Sequence, residues 1–468
     1  MGHLYIAAAH KSSGKTSVSI GMTAALVQRG LIVQTFKKGP DYIDPLWLSR
    51  AAGRPCYNLD FFTQTPEEIM TTFARNMHDA DLGLIEGNKG LFDGVDVEGT
   101  DSNAALATML SGPVVLVIDT GGMTRGIAPL IRGYLDFDPN VNIAGVVLNK
   151  VGGSRHETKL RAALERYTDT AVLGAIGRDQ ALEIPERHLG LVPANEARGS
   201  GTADAMISRL ADAISTGVDL ERIIEISKTT GQPAGLTEFT PGPQQLPPTH
   251  SGLRIAIARD AAFGFYYQDD LEAFERAGVE LIAFNTFNDR RLPEADGLFI
   301  GGGFPECHLE ALSANQGLLK DIQRALAGGM PAYAECGGLM YLSRSIEWRG
   351  ERREMVGIVP ADVMVGHRPQ GRGYMVVEET GKCPWPRLSD TRGNASGTGV
   401  HEFHYARLEN LEGPCDFAHR VLRGTGIDGK HDGLLIGNLL AGFAHHRNTK
   451  ANPWVERFVA FVRDKSAK

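Results

Sequence analysis

Two stretches of the chain set reactive side chains in surroundings that chemistry can use. The first is LYIAAAHKSSGKT, Leu4 to Thr16, an apolar run that turns through small residues into the helix-like SVSIGMTAALVQRG. A strand that turns into a helix N-terminus presents free N–H groups to a phosphate; a lysine there reaches the outer oxygens, and a hydroxyl can hold Mg²⁺. Ser13, Gly14, Lys15 and Thr16 are therefore the expected ATP-binding residues, with Ala9 standing where such loops usually begin on glycine. The plain alternative is a GKT that only caps a helix.

The second is MPAYAECGGLMYLS, a strand-like run, then Cys336 between small residues, then an apolar helix start. That is the sequence of a nucleophile elbow, where a strained strand-to-helix turn tolerates little side-chain bulk. A helix N-terminus favours thiolate, so Cys336 is expected to be reactive, against the bland reading of a small buried hydrophobe. Upstream, GGGFPE at Gly301 to Glu306 leaves backbone N–H groups free, and Gly302 and Gly303 are the expected oxyanion hole. The base expected for Cys336 is His445 in LLAGFAHHR. His446 competes from the opposite face of the same extended segment, and His401 and His404 in GVHEFHY shape the pocket.

Between these stretches lie loops that doubly wound sheets use for ligands. FKKGPDYIDP carries Lys37, Lys38, Asp41, Tyr42 and Asp44; its basic residues suit a carboxylate substrate and its acids a metal. In LGLIEGNKGLFDGVD, Glu86 ends an apolar run and Asp93 sits among glycines, and a carboxylate at a strand terminus suits the hard oxygen shell of Mg²⁺. The expected metal set is Thr16, Asp41 and Glu86, and the expected substrate set is Lys37, Asp41, Tyr42 and Asp93. Asn149 closes the run IAGVVLN as Asp119 closes PVVLVID; Asn149 is read as a nucleotide contact, with a strand-end turn former as its equal alternative.

The elements that must position these residues follow a rhythm of short apolar runs and longer helix-like stretches, which predicts α/β architecture with a parallel sheet. Around residue 228 the rhythm lapses into KTTGQPAGLTEFTPGPQQLPPTHSG and then restarts. Three segments result: 1–227 with the phosphate site, a linker at 228–252, and 253–468 with Cys336. The last third reads as strand-rich up to a final helix, NPWVERFVAFVRDK.

Composition fits this division. The chain has 468 residues, 42% hydrophobic and 22% charged, enough for two large cores. A net charge of −8 without a long basic run argues against nucleic-acid binding. Five cysteines without CxxC pairing argue against a disulfide framework or structural zinc. With no signal-like N-terminus and no run of about 18 apolar residues, a cytoplasmic protein without membrane association is expected. A homodimer is compatible with the reading.

GKT, FKKGPDYIDP, EGNKGLFDG, FDPNVNIAGVVLNKV, RHLGLVPA, ARDAAFGFYY, GGGFPE, AECGGLMYL, HEFHY and the late histidine, in this order, resemble the cobyrinic acid a,c-diamide synthase family across essentially the whole chain. The resemblance implies a dethiobiotin-synthetase-like ATP domain fused to a class I type glutamine amidotransferase domain. Cys336 and His445 match its glutaminase pair; Asp41, Glu86 and Asp93 match acidic positions of its synthetase site. It further implies ATP with Mg²⁺, glutamine as ammonia donor, and amidation of the a and c acetates of a polycarboxylated tetrapyrrole. HKSSGKT and GTDSNAALA look similar to the branch that amidates sirohaem, which places sirohaem ahead of cobyrinate. Ordinary class I amidotransferases carry Glu two residues after the histidine, where this chain has Arg447, so no third member is assigned. The rival readings are a P-loop switch ATPase with a vestigial amidotransferase module and a glutamine-independent synthetase.

Overall fold

A computed structural model of the chain describes residues 2–187, 190–196, 202–231, 252–387 and 397–466. They fall into two compact units, Met1–Pro241 and Gly242–Lys468. Of the expected linker, 232–251 lies outside the described residues, as do His188 and Leu189 of RHLGLVPA.

In the first unit seven strands run in the order Tyr57–Leu59, Val33–Lys38, Leu82–Glu86, Gly2–Ala8, Val114–Asp119, Ile143–Val151, Val172–Gly177. Every pairing is parallel. Parallel sheets are covered on both faces, so their strands are apolar throughout rather than alternating. Alternate side chains serve opposite layers. Ile6, Leu84, Val117 and Val147 pack with Ile20, Leu210 and Ile214, and Tyr5, Ile85, Leu116 and Leu148 with Phe73, Leu106, Ile131 and Leu164. Each such side chain contributes roughly 1.5–3 kcal/mol on burial. Two strands escaped the apolar rhythm: Tyr57–Leu59 has three residues, and VLGAIG is interrupted by glycine. The connection after Gly2–Ala8 runs to one side of the sheet and that after its neighbour Val114–Asp119 to the other, which opens a crevice between their carboxyl ends, where the GKT turn begins.

The second unit is built on a nine-stranded sheet, in the order Glu280–Phe284, Arg254–Ala258, Gly297–Ile300, Ala332–Glu335, Leu439–Gly442, His431–Ile436, Asp416–Arg423, Gly371–Glu379, Thr398–His404. Its first five strands are parallel and the rest antiparallel. A four-stranded sheet, Glu351–Glu354, Ser343–Trp348, Val359–Val365 and Ala406–Glu409, accompanies it. The closing helix Trp454–Ser466 buries Trp454, Phe458, Val459 and Val462 against the parallel part, through Phe299 and Tyr333 among others. Among the described residues no helix is long and apolar enough to cross a membrane.

Candidate active sites

In the first unit Gly14 takes a left-handed φ of 88° and Lys15 opens the helix Lys15–Gln28. A Cβ on Gly14 would fall 2.1 Å from Nδ2 of Asn149, so only glycine fits. Asn149 donates that amide to the Ser13 carbonyl at 2.9 Å, which ties the turn to the end of a neighbouring strand. Ser13 is fully buried and its hydroxyl donates to the His10 carbonyl at 2.8 Å. Gly14 and Asn149 also line a cleft of about 520 Å³, open to solvent, with Lys150, Ile176, Arg178 and Leu210.

Below the turn lies a buried ionic cluster. Thr16 Oγ1 donates to Glu86 Oε1 at 2.7 Å and to Asp44 Oδ2 at 3.3 Å. Lys37 Nζ stands between the same two carboxylates, 2.5 Å from Asp44 and 3.0 Å from Glu86. Burial opposes the Lys37 charge, but Asp44, Glu86 and Asp41 outweigh it and raise the ammonium well above its usual range. Burial also acts to raise Asp44, and there Lys37 outweighs it and holds the carboxyl low. Glu86 is raised, chiefly by burial. Lys15 donates to the Lys89 carbonyl at 2.7 Å and is lowered to about 8 by burial, then by the Lys37 charge.

Several expectations need revision here. Lys37 and Lys38, expected to suit a substrate carboxylate, are both buried, as is the ring of Tyr42. In this structure Lys37 is engaged by two carboxylates of its own unit, Asp44 and Glu86. Asp41 Oδ1 accepts from the N–H groups of Ile43 and Asp44 and caps the helix Ile43–Ala52. Its Oδ2 lies 3.8 Å from Lys37, and burial followed by the Asp44 charge pushes the carboxyl up to about 7. Asp44, outside the expected metal set, is the acid that reaches Thr16 together with Glu86. Asp93 accepts from the Gly90 N–H at 2.9 Å and shapes its own loop.

The resemblance implies magnesium, for which this cluster offers oxygen donors. Glu86 Oε2 is buried without a hydrogen-bond partner among the described residues, and Thr16, Asp44 and Glu86 offer the hard oxygens that Mg²⁺ takes. These donors suit the ion, with the Lys37 ammonium already standing between the two carboxylates.

In the second unit Cys336 has φ 47° and ψ −101° between the strand Ala332–Glu335 and the helix Gly337–Leu342. A bulky residue tolerates this positive φ poorly, and it aims the thiol out of the sheet. The glycine turn lies against the elbow: a Cβ on Gly337 would fall 2.9 Å from the Gly303 nitrogen, and one on Gly302 would fall 2.7 Å from Cε1 of His445. Turn, elbow and histidine therefore converge on one place. The helix has six residues and little dipole, while burial, followed by the Glu306 charge, raises the Cys336 thiol well above its ordinary value.

His445 Nδ1 faces Glu335 Oε2 at 3.3 Å, and its ring stacks on His401 with centroids 4.7 Å apart. His446 points elsewhere: its ring meets Asn452 and lies 5.0 Å from His419, and burial holds it well below its usual value. His404 stacks on Phe443 at 3.9 Å. Arg447 is buried on Asp269 at 2.5 Å and over the Tyr267 ring. Glu335 is a site residue that the motif alone does not single out; its signal in the sequence is a lone charge inside the apolar run MPAYAEC, since a buried charge needs a partner.

Geometry and fold together define a chain with a nucleotide-binding α/β unit and a glutamine amidotransferase-type unit. Residues 4–192 match the CobQ/CobB/MinD/ParA nucleotide binding domain, and residues 254–453 match the CobB/CobQ-like glutamine amidotransferase domain. The cobyrinate a,c-diamide synthase of Magnetococcus marinus is 44% identical over 99% of this chain and 98% of its own length. That of Methanosarcina acetivorans is 40% identical over 94% of this chain and 91% of its own. A solved glutamine amidotransferase aligns with 46% of this chain and 99% of its own, at 15% identity and a TM-score of 0.31. The chain belongs to the cobyrinate a,c-diamide synthase family of glutamine-hydrolysing ligases.

Proposed function

We propose that the chain amidates the a and c acetate groups of cobyrinate, with ATP and glutamine as co-substrates. The observation that carries this reading is the full-length likeness to cobyrinate a,c-diamide synthases in a chain that keeps both sites, Gly14-Lys15-Thr16 and the Cys336 elbow. In the second unit Cys336 attacks the side-chain amide carbon of glutamine. His445 takes the thiol proton and returns it to the departing ammonia, and Gly302 and Gly303 flank the oxyanion. Water then releases glutamate.

In the first unit the turn and the helix N-terminus hold the phosphates, Lys15 moves from the Lys89 carbonyl to the outer oxygens, and the base occupies the cleft beside Asn149. Thr16, Asp44 and Glu86 would hold Mg²⁺, and the ion would supply charge neutralisation at the phosphates. The substrate carboxylate attacks the terminal phosphorus of ATP with release of ADP to form an acyl phosphate, and ammonia displaces phosphate from it to leave the amide. Cobyrinate stands ahead of sirohaem because the relatives at 40–44% identity carry that substrate in their names.

Mass spectrometry of products formed from cobyrinate and from sirohaem, with ATP and glutamine, tests the reading. Two carboxyls become two amides on cobyrinate if it holds. Amidation of sirohaem alone reverses the substrate order, and ATP hydrolysis with neither product amidated favours the switch ATPase.

A further inference from the structure

We propose that Glu335 is the positioning residue of the glutaminase site: its carboxylate fixes the ring and the tautomer of His445. The inference rests on the reading of Cys336 and His445 as the working pair. Arg447, two positions after the histidine, is cationic and held by Asp269, so it cannot supply a carboxylate.

The strand Ala332–Glu335 is wholly buried. A carboxylate there requires partners, and Glu335 has them in an asymmetric arrangement. One oxygen, Oε1, accepts from the Tyr333 hydroxyl at 2.6 Å and from the His446 N–H at 3.0 Å. Those donors are themselves fixed. Tyr333 stacks on Phe299 with centroids 5.5 Å apart and packs on Trp454 at 4.9 Å. With Oε1 pinned, Oε2 is aimed at His445 Nδ1, 3.3 Å away.

The imidazole is confined on its other sides as well. His401 lies face to face with it, and the backbones of His401 and His445 exchange two hydrogen bonds, at 3.3 and 2.8 Å. Gly302 leaves room at Cε1. A proton donated from Nδ1 to Glu335 leaves Nε2 bare, the form a base needs if it is to take a proton from a thiol that burial keeps protonated. The charged and titratable groups around Glu335 are Tyr266, Tyr333, Asp270, Cys336 and His445. Among them His445 is the one whose chemistry the proposed reaction uses as a base.

Glutamate release by the full chain, with glutamine and Mg-ATP, tests the assignment. Glu335→Gln offers an N–H to Nδ1 and enforces the wrong tautomer, so kcat is expected to fall on the order of 10²- to 10⁴-fold while KM for glutamine stays within about twofold. In a His445→Ala background the same change is expected to add nothing, and Glu335→Asp is expected to recover part of the loss. A wild-type kcat in Glu335→Gln, an additive loss in the double variant, or no recovery in Glu335→Asp overturns the proposal. Should Glu335→Gln fail to fold, Tyr333→Phe removes one of the two pinning donors: a kcat about tenfold lower at unchanged KM supports the proposal, and an unchanged kcat overturns it. Full glutaminase activity in His445→Ala overturns the pair itself and the inference with it. A dead His445→Ala with a fully active Glu335→Gln overturns the inference alone.

Discussion

Thr16 and Glu86 are joined by a 2.7 Å hydrogen bond from the hydroxyl to the carboxylate, at the point where the phosphate turn meets the carboxyl end of a central strand. The oxygen that receives it also receives Lys37, and the second carboxylate oxygen has no hydrogen-bond partner among the described residues. A buried acid with one oxygen left over is arranged for a cation. Glu86→Gln is therefore expected to raise the Mg²⁺ concentration for half-maximal amidation at least about tenfold, because charge is what a hard divalent ion selects. The increase should be the same whether glutamine or ammonium supplies nitrogen. A Mg²⁺ titration of amidation checks this, and an unaltered curve removes Glu86 from the metal set.

Asp41 supplies a pH test that needs no ligand. Its carboxyl is raised to about 7, chiefly by burial and then by Asp44, above the ordinary aspartate value near 3.9. An acid whose folded value is raised binds its proton more tightly when folded, so its contribution to stability is complete below about pH 4 and is lost as the pH rises through about 7. Asp41→Asn keeps the oxygen that caps Ile43 and Asp44 and lacks the ionisation. Thermal melts of the ligand-free chain should show the variant gaining on wild type between pH 5 and pH 8. Parallel curves across that range would mean that Lys37 keeps Asp41 ionised throughout.

What could be read from the residues alone was whatever depends on local pattern. Continuous apolar runs gave five of the seven strands of the first sheet, and a strand followed by Cys336-Gly337-Gly338 gave the elbow, because backbone strain at a tight turn demands those residue types. Pairings made across the fold were not legible. Asp41 and Asp44 are one helical turn apart, and only the path of the loop decides that Asp44 reaches Thr16. Lys37 and Lys38 read from the sequence as suiting a substrate carboxylate, yet the first compensates Asp44 and Glu86 inside the unit. A helix N-terminus favours thiolate, while at Cys336 burial and the Glu306 charge act in the opposite direction, and neither is legible in the local sequence. His445 and Glu335 lie 110 positions apart, a separation no periodicity reports.

The buried His3 gives an acid limit to the first unit. Its ring sits edge-on to Phe73 at 4.9 Å and shares a 2.9 Å hydrogen bond with the Leu110 carbonyl, and burial lowers it to about 4. A base whose folded value is depressed contributes stability above its ordinary value near 6.5 and loses it as the pH falls through about 4. His3→Gln keeps a donor for Leu110 without the titration. Its melting temperature should fall less than that of wild type between pH 7 and pH 4.5, and an identical fall would assign the acid sensitivity to other groups.

Cys336 and His445 should separate the two halves of the reaction. Cys336→Ser replaces a nucleophile already held as its protonated form with a weaker one, and glutamine-driven amidation is expected to drop by on the order of 10⁴-fold or more. Amidation with high ammonium should survive, because Lys15, Thr16, Asp44 and Glu86 belong to the other unit; Lys15→Ala should abolish both modes, since phosphate charge is no longer compensated. His445→Ala is expected to follow Cys336→Ser. His446→Ala should be milder in glutamine use, since the contact of His446 with Glu335 is made by its backbone N–H, which the substitution keeps. Parallel assays with glutamine and with ammonium decide the matter. If His446→Ala proves the more damaging of the two, the base lies on the other side of the strand end; if ammonium does not rescue folded Cys336→Ser, the division of labour between the units is wrong.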